Sequence, residues 1–147
     1  MAAGAAHTLA RGHVSIAQLG PDAQRQVAAV YDLPNPPSVN HLFQNVRSIG
    51  RVPTKDYKAW KKEAGLCVLA QRGSQPKIPG GYELQIISGH RKCDLGNIEK
   101  AVSDLLVEMR VVVDDRLAQR IVLEWGDVTG CRVVISPWRG GITVELA

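Results

Sequence analysis

The sequence predicts an α+β domain, a small mixed sheet of four to five strands packed with two main helices. Three observations carry that expectation. Two segments repeat apolar residues at helical spacing, 57–68 and 95–109. Several short runs rich in β-branched residues lie between them and after them. No stretch repeats internally, and at 147 residues the chain suits one domain with a real core.

Taken in order, residues 1–13 are small and polar and read as a disordered tail. Ser15 to Tyr31 carries a short helical signal. Pro21 and Asp22 suit a helix start, and Val27, Ala28, Val30 and Tyr31 give a narrow apolar face. Residues 1–31 are thus expected to form an extension and 32–147 the main domain. The boundary is Asp32-Leu-Pro-Asn-Pro-Pro-Ser38, whose prolines resist helix formation. Val39 to Phe43 leads into a basic loop with Arg47 and Arg51. Thr54 follows Pro53 as an N-cap. Tyr57, Trp60, Ala64, Cys67 and Val68 then form one helical stripe, with Lys55, Lys58 and Lys62 on another face.

Tyr82 to Ile87 reads as a strand entering the corner Ser88-Gly89-His90. Leu95, Ile98, Val102, Leu105, Leu106 and Met109 form the second helical stripe. Asn97, Lys100 and Asp104 lie opposite, at i, i+3 and i+7. Val111 to Val113 is expected to be a short strand ending at Asp114-Asp115. Arg120 to Trp125 and Arg132 to Ile135 are expected to form a hairpin through Gly126-Asp-Val-Thr-Gly130. Ile142 to Leu146 would add an edge strand.

The net charge of +4 tilts the chain toward an anionic partner such as nucleic acid. A basic patch of Arg47, Arg51, Lys55, Lys58, Lys61 and Lys62, with Arg91 and Lys92, would track phosphates; its plainer alternative is a solvated face balanced by Asp56 and Glu63. The three cysteines, Cys67, Cys93 and Cys131, are odd in number and lack zinc-ligand spacing, so they read as reduced thiols. No apolar run approaches the ~20 residues of a membrane span. The first residues do not make a secretory signal. A cytoplasmic location with no membrane partner is expected.

The chemistry-bearing stretch is Arg91-Lys92-Cys93-Asp94-Leu95-Gly96-Asn97-Ile98-Glu99-Lys100, with Asp114-Asp115 after one helix's length. Each residue has a plain explanation: Asp94 as an N-cap, Asp114 and Asp115 as turn formers, Lys100 as a solvated helix residue. Together they compose an oxygen-rich site suited to magnesium. Such a metal activates water and neutralises charge as a phosphodiester breaks, and a lysine stabilises the developing anion. Adjacent strand residues face opposite ways, so only one of Asp114 and Asp115 can easily face Asp94.

The same residues resemble the signature of RusA-type Holliday junction resolvases. Asp94-Leu-Gly-Asn97-Ile-Glu-Lys100, Asp104 and Asp114-Asp115 carry the likeness, with Pro34-Asn-Pro-Pro-Ser-Val-Asn40 resembling the family's proline-rich opening. It covers about residues 33–136. The resemblance implies a RusA-like fold and a homodimeric endonuclease that needs Mg2+ or Mn2+ and no small-molecule cofactor. Its substrate would be branched DNA, above all four-way junctions, cut by paired nicks in recombination and repair by a bacterial or phage-encoded enzyme. Asp94 and Asp115 then match the catalytic aspartates, Lys100 the catalytic lysine and Asn97 the motif asparagine. Phe43 is expected in the core, or else as a wedge at a junction.

The chain departs from that family at one place. The family motif commonly reads Asp-x-Asp-Asn, and Gly96 stands where the second aspartate belongs. Three consequences are open: Asp94 and Asp115 suffice with added waters, Asp114 or Asp104 helps, or the protein binds junctions without cutting them.

Overall fold

The computed structural model describes residues 29–89 and 92–140. Its elements are β1 (Ala29–Leu33), β2 (Phe43–Val46), β3 (Gly50–Pro53), α1 (Lys55–Arg72), β4 (Tyr82–Ser88), α2 (Glu99–Glu108), β5 (Ala118–Trp125) and β6 (Cys131–Pro137). Short 3-10 turns occupy Val39–His41, Leu95–Asn97 and Asp115–Leu117. The main sheet has four strands in the order β1-β6-β4-β5, and β2 and β3 form a separate two-stranded sheet. β4 runs parallel to β5 and antiparallel to β6, so the sheet is mixed. The expected α+β arrangement of a small mixed sheet with two main helices is present.

The sheet is organised by β4. Tyr82, Leu84, Ile86 and Ser88 alternate with less buried neighbours, as a strand with one face on the core requires. Leu84, Ile86, Val133 and Ile135 are all sealed from solvent. Thr54 caps α1, its hydroxyl oxygen accepting from the Tyr57 amide at 3.2 Å. Tyr57, Trp60, Ala64 and Val68 are buried as their spacing predicts, while Cys67 is half-buried. α1 rests on β1, where the Gln71 amide both donates to the Asp32 carbonyl and accepts from the Asp32 amide, each at 2.7 Å. At its far end the Arg72 guanidinium donates to the carbonyls of Met109 and Arg110, at 2.6 and 2.7 Å. That contact ties α1 to the end of α2.

Four expectations need correction. Residues 29–31, placed at the end of a helix, belong to β1, which pairs antiparallel with β6. Their burial alternates, with Ala29, Tyr31 and Leu33 inside, and the tertiary partner decides the conformation. The earlier part of that helix lies outside the described residues. Second, β5 and β6 do not form a hairpin, because β4 lies between them. The connection instead passes over the end of β4: the Gly126 amide donates to the Ser88 carbonyl and the Gly89 amide to the Gly130 carbonyl, both at 3.0 Å. A side chain at Gly89 would stand 1.9 Å from the Val128 carbonyl oxygen, so that crossing demands glycine.

Third, among the described residues Val111 to Val113 makes an isolated parallel bridge, Val112 to Ile78, rather than a strand. Fourth, the helical stripe over 95–109 is split into a 3-10 turn and the α-helix Glu99–Glu108. The edge strand expected over 142–146 lies outside the described residues. No helix among the described residues is long and apolar enough to cross a membrane.

Candidate active site

Lys100 lies on the first turn of α2, whose buried side is Ala101, Val102, Leu105 and Leu106. The opposite side carries Lys100 and Asp104 at i and i+4, where side chains meet. The Lys100 ammonium lies 2.8 Å from the Asp104 carboxylate and 3.5 Å from that of Asp115. The Asp104 hydrogen bond, with the negative charges of Asp104 and Asp115, lifts the Lys100 pKa above the ordinary lysine value against an opposing effect of burial. The amine is therefore a cation throughout the neutral range.

Asp104 is held from the other side by the Tyr57 hydroxyl, which donates to Oδ2 at 2.9 Å. Tyr57 itself is fixed in the core, edge-on to Phe43 and stacked near Trp60. Burial, then the bond to Asp104, raises its hydroxyl pKa well above the usual tyrosine range. A chain thus runs from the core through Tyr57, Asp104 and Lys100 to Asp115. Beside it, Lys61 pairs with Glu108 and places its ammonium 4.5 Å from the centre of the Tyr57 ring.

The two adjacent aspartates are used differently. Asp114 caps the turn Asp115–Leu117: its carboxylate accepts from the Arg116 amide at 2.9 Å and lies 2.8 Å from the Arg116 guanidinium. Those bonds hold its pKa well below the carboxylate range. Asp115 instead points its carboxylate to Lys100. Both line a cleft of about 350 Å3 with Lys61, Asp104, Val107 and Glu108. The buried Tyr82 hydroxyl, which feels the charges of both aspartates, has no hydrogen-bond partner among the described residues. Burial and then the charges of Asp115, Glu99 and Asp114 push its pKa up to about 12.

Asp94 heads the turn Leu95–Asn97, but its side chain makes no capping hydrogen bond. The plain explanation of this residue as an N-cap is thus not realised, and the carboxylate is exposed. It lines a cavity of about 460 Å3 together with Asn97, Lys92, Cys93, Ser38, Asn40 and His41. Among the described residues no three His, Cys, Asp or Glu side chains gather closely enough to hold a metal ion. The donors at hand are carboxylate oxygens, the chemistry of magnesium or manganese; magnesium is often bound through only one or two carboxylates, with water and phosphate oxygens completing its shell. The residues present fit such a cation on those terms.

Arg47, Arg51, Lys55, Lys58, Lys62 and Lys92 are all exposed, whereas Lys61 is drawn into its pair with Glu108. Arg91 lies outside the described residues. Two features escaped sequence reasoning. The Tyr57 hydroxyl reaches Asp104 across 47 residues, which no local pattern reports. Ile49 stands 72% exposed at the tip of the β2–β3 hairpin, although an apolar residue in a basic loop was a visible signal.

The family model for endodeoxyribonuclease RusA matches residues 34–136. Comparison with curated proteins returns no match. The matched segment spans well over half of the chain and contains every described element named above except β1 and the last residue of β6. The chain belongs to the RusA endodeoxyribonuclease family, which acts on branched DNA junctions.

Proposed function

We propose that this RusA-family chain is a metal-dependent, structure-selective endonuclease that resolves four-way DNA junctions by paired nicks. The observation that carries the reading is the Lys100 ammonium paired with Asp104 and Asp115, two carboxylates that line one acidic cleft. Asp115 and Asp94 would hold Mg2+ or Mn2+, with Asp114 beside them. When bound, the cation supplies an activated water and neutralises charge on the phosphate.

Lys100 does not act as a base in this scheme. Paired with Asp104 and Asp115, its ammonium plays an electrostatic part: a fixed positive charge for the developing oxyanion or the leaving oxygen. Asp104 and Tyr57 fix the direction of that charge. The exposed cations Arg47, Arg51, Lys55, Lys58, Lys62 and Lys92, with Arg91, would contact phosphates and give affinity without sequence readout. Asn97, lining the cavity beside Asp94, would contact DNA there. A homodimer matches the two-fold symmetry of a four-way junction and would present two such sites to opposite strands. Recombination and repair are the settings in which that activity serves.

The test is cleavage of an end-labelled four-way junction. Wild-type protein is expected to give paired nicks in Mg2+ or Mn2+, with Asp94→Asn inactive but still binding the junction. No nicking by protein that saturates the junction, in either ion, would defeat the reading. A second reading, a junction-binding protein that does not cut, is favoured by Gly96, which stands where the resemblance places a second aspartate. Turnover by purified wild type would exclude it.

A further inference from the structure

We propose that the tip of the β2–β3 hairpin is a DNA wedge, in which Ile49 inserts against an unstacked base pair at the branch point while Arg47 and Arg51 hold the flanking phosphates. The inference rests on the junction-directed function and adds to it the surface that opens the junction.

The hairpin is anchored at its base and bare at its tip. Phe43 packs edge-on against Tyr57 at 5.7 Å, and the Arg51 guanidinium lies 4.6 Å from the centre of the Phe43 ring. Phe43 is therefore part of the foundation, which leaves it unable to serve as the wedge itself. From Arg47 to Arg51 every residue is exposed. Val46 and Gly50 pair across the strands, leaving Arg47, Ser48 and Ile49 as the loop, closed by the Ile49 amide donating to the Val46 carbonyl at 3.1 Å. Ser48 holds φ 74, a left-handed conformation that Gly or Asn usually fills in such a turn. The loop thus keeps a costly geometry that sets Ile49 outward, 72% exposed.

A β-branched residue left in water between two arginines contributes nothing to the core. Along the chain the charge on either side of it is of one sign, since no Asp or Glu occurs from Leu33 to Lys55. That pairing of an apolar tip with flanking cations complements a nucleic-acid partner: the cations take the backbone and the apolar group enters the stack, as in proteins that kink duplexes with inserted side chains. At the hairpin's foot a cavity of about 320 Å3 is lined by Asn40, Gln44, Asn45 and Arg51, offering amide and guanidinium groups to a displaced nucleotide.

The experiment uses the full chain and a four-way junction carrying 2-aminopurine next to the branch point, in EDTA so that no strand is cut. Binding is measured first, against a linear duplex. Wild type is expected to bind the junction and brighten the probe, with no brightening when the probe sits mid-arm. Ile49→Ser should keep its fold and its junction affinity within about threefold, since cations dominate affinity, yet lose the brightening; Ile49→Leu should restore it. Equal brightening with Ile49→Ser overturns the wedge, as does a wild-type complex that cleaves junctions but never brightens the probe. Wild type that binds junction no better than duplex defeats the junction reading as a whole, an outcome visible in the affinity measurement alone.

Discussion

Gly96→Asp places a carboxylate where the resemblance puts the second aspartate of the motif, and the consequences follow from the structure around it. A Cβ at Gly96 meets nothing within 4 Å, and the backbone there is not left-handed. Replacement in an exposed turn should change folding stability by no more than about 0.5 kcal/mol, or about 2 °C in Tm for a chain of this size. The electrostatic effect is larger. A unit charge pair about 4 Å apart in water interacts by about 1 kcal/mol, and a divalent cation doubles that to about 2 kcal/mol. Salt screening reduces the gain, leaving about a tenfold rise in cation affinity. The assay is single-turnover cleavage of a labelled four-way junction across a magnesium titration. The half-activating concentration should fall by about tenfold, with junction affinity in EDTA little changed. If the folded variant titrates with magnesium as wild type does, residue 96 does not face the cation, and the assignment of this turn to the metal site is wrong.

Other outcomes follow from the same geometry. Lys100→Ala should lower the single-turnover rate by about 100-fold or more, the scale of losing one charge-stabilising donor, while gel-shift affinity for the junction persists. Tyr57→Phe removes the donor to Asp104, which stays partly hydrated, so thermal melting should report a loss of about 1 kcal/mol and cleavage should slow without a change in binding. Lys58→Ala and Lys62→Ala should each reduce the slope of log affinity against log salt by about 1, as lost phosphate contacts do. The Cys131 thiol is sealed from solvent and pushed up to about 12, so iodoacetamide near pH 8 should label Cys67 and Cys93 first in native protein, and all three only after unfolding. Tyr82 and Cys131 both have folded pKa values raised above their unfolded ones of 10.0 and 9.0, so the stability they contribute is whole below about pH 9 and is lost as pH rises toward 12. Melting temperature against pH measures that decline.

Much of this arrangement was legible because its signals are local. Two helices announced themselves by apolar spacing, Thr54 by its place after Pro53, and β4 as a strand entering the Ser88-Gly89-His90 corner. Lys100 and Asp104 were legible as sharing the polar side of the second helix. What failed depends on partners distant in sequence. Gly126 to Gly130 has turn chemistry, but turn chemistry cannot report that β4 enters between β5 and β6. Residues 29–31 carry both a weak helical face and a strand alternation. The choice falls to the pairing with β6, where Asp32 faces Arg132 and their side chains lie 2.9 Å apart. Within the site, the division of labour between Asp114 and Asp115 needed coordinates, because a carboxylate that caps a turn and one that meets a lysine look alike in sequence.

The most direct test is the nicking of a four-way junction by wild type and by Asp115→Asn at equal saturation, with magnesium and with EDTA. Paired nicks made only by wild type and only in magnesium are what the account predicts. Undiminished cutting by Asp115→Asn, or cutting that persists in EDTA, would contradict it.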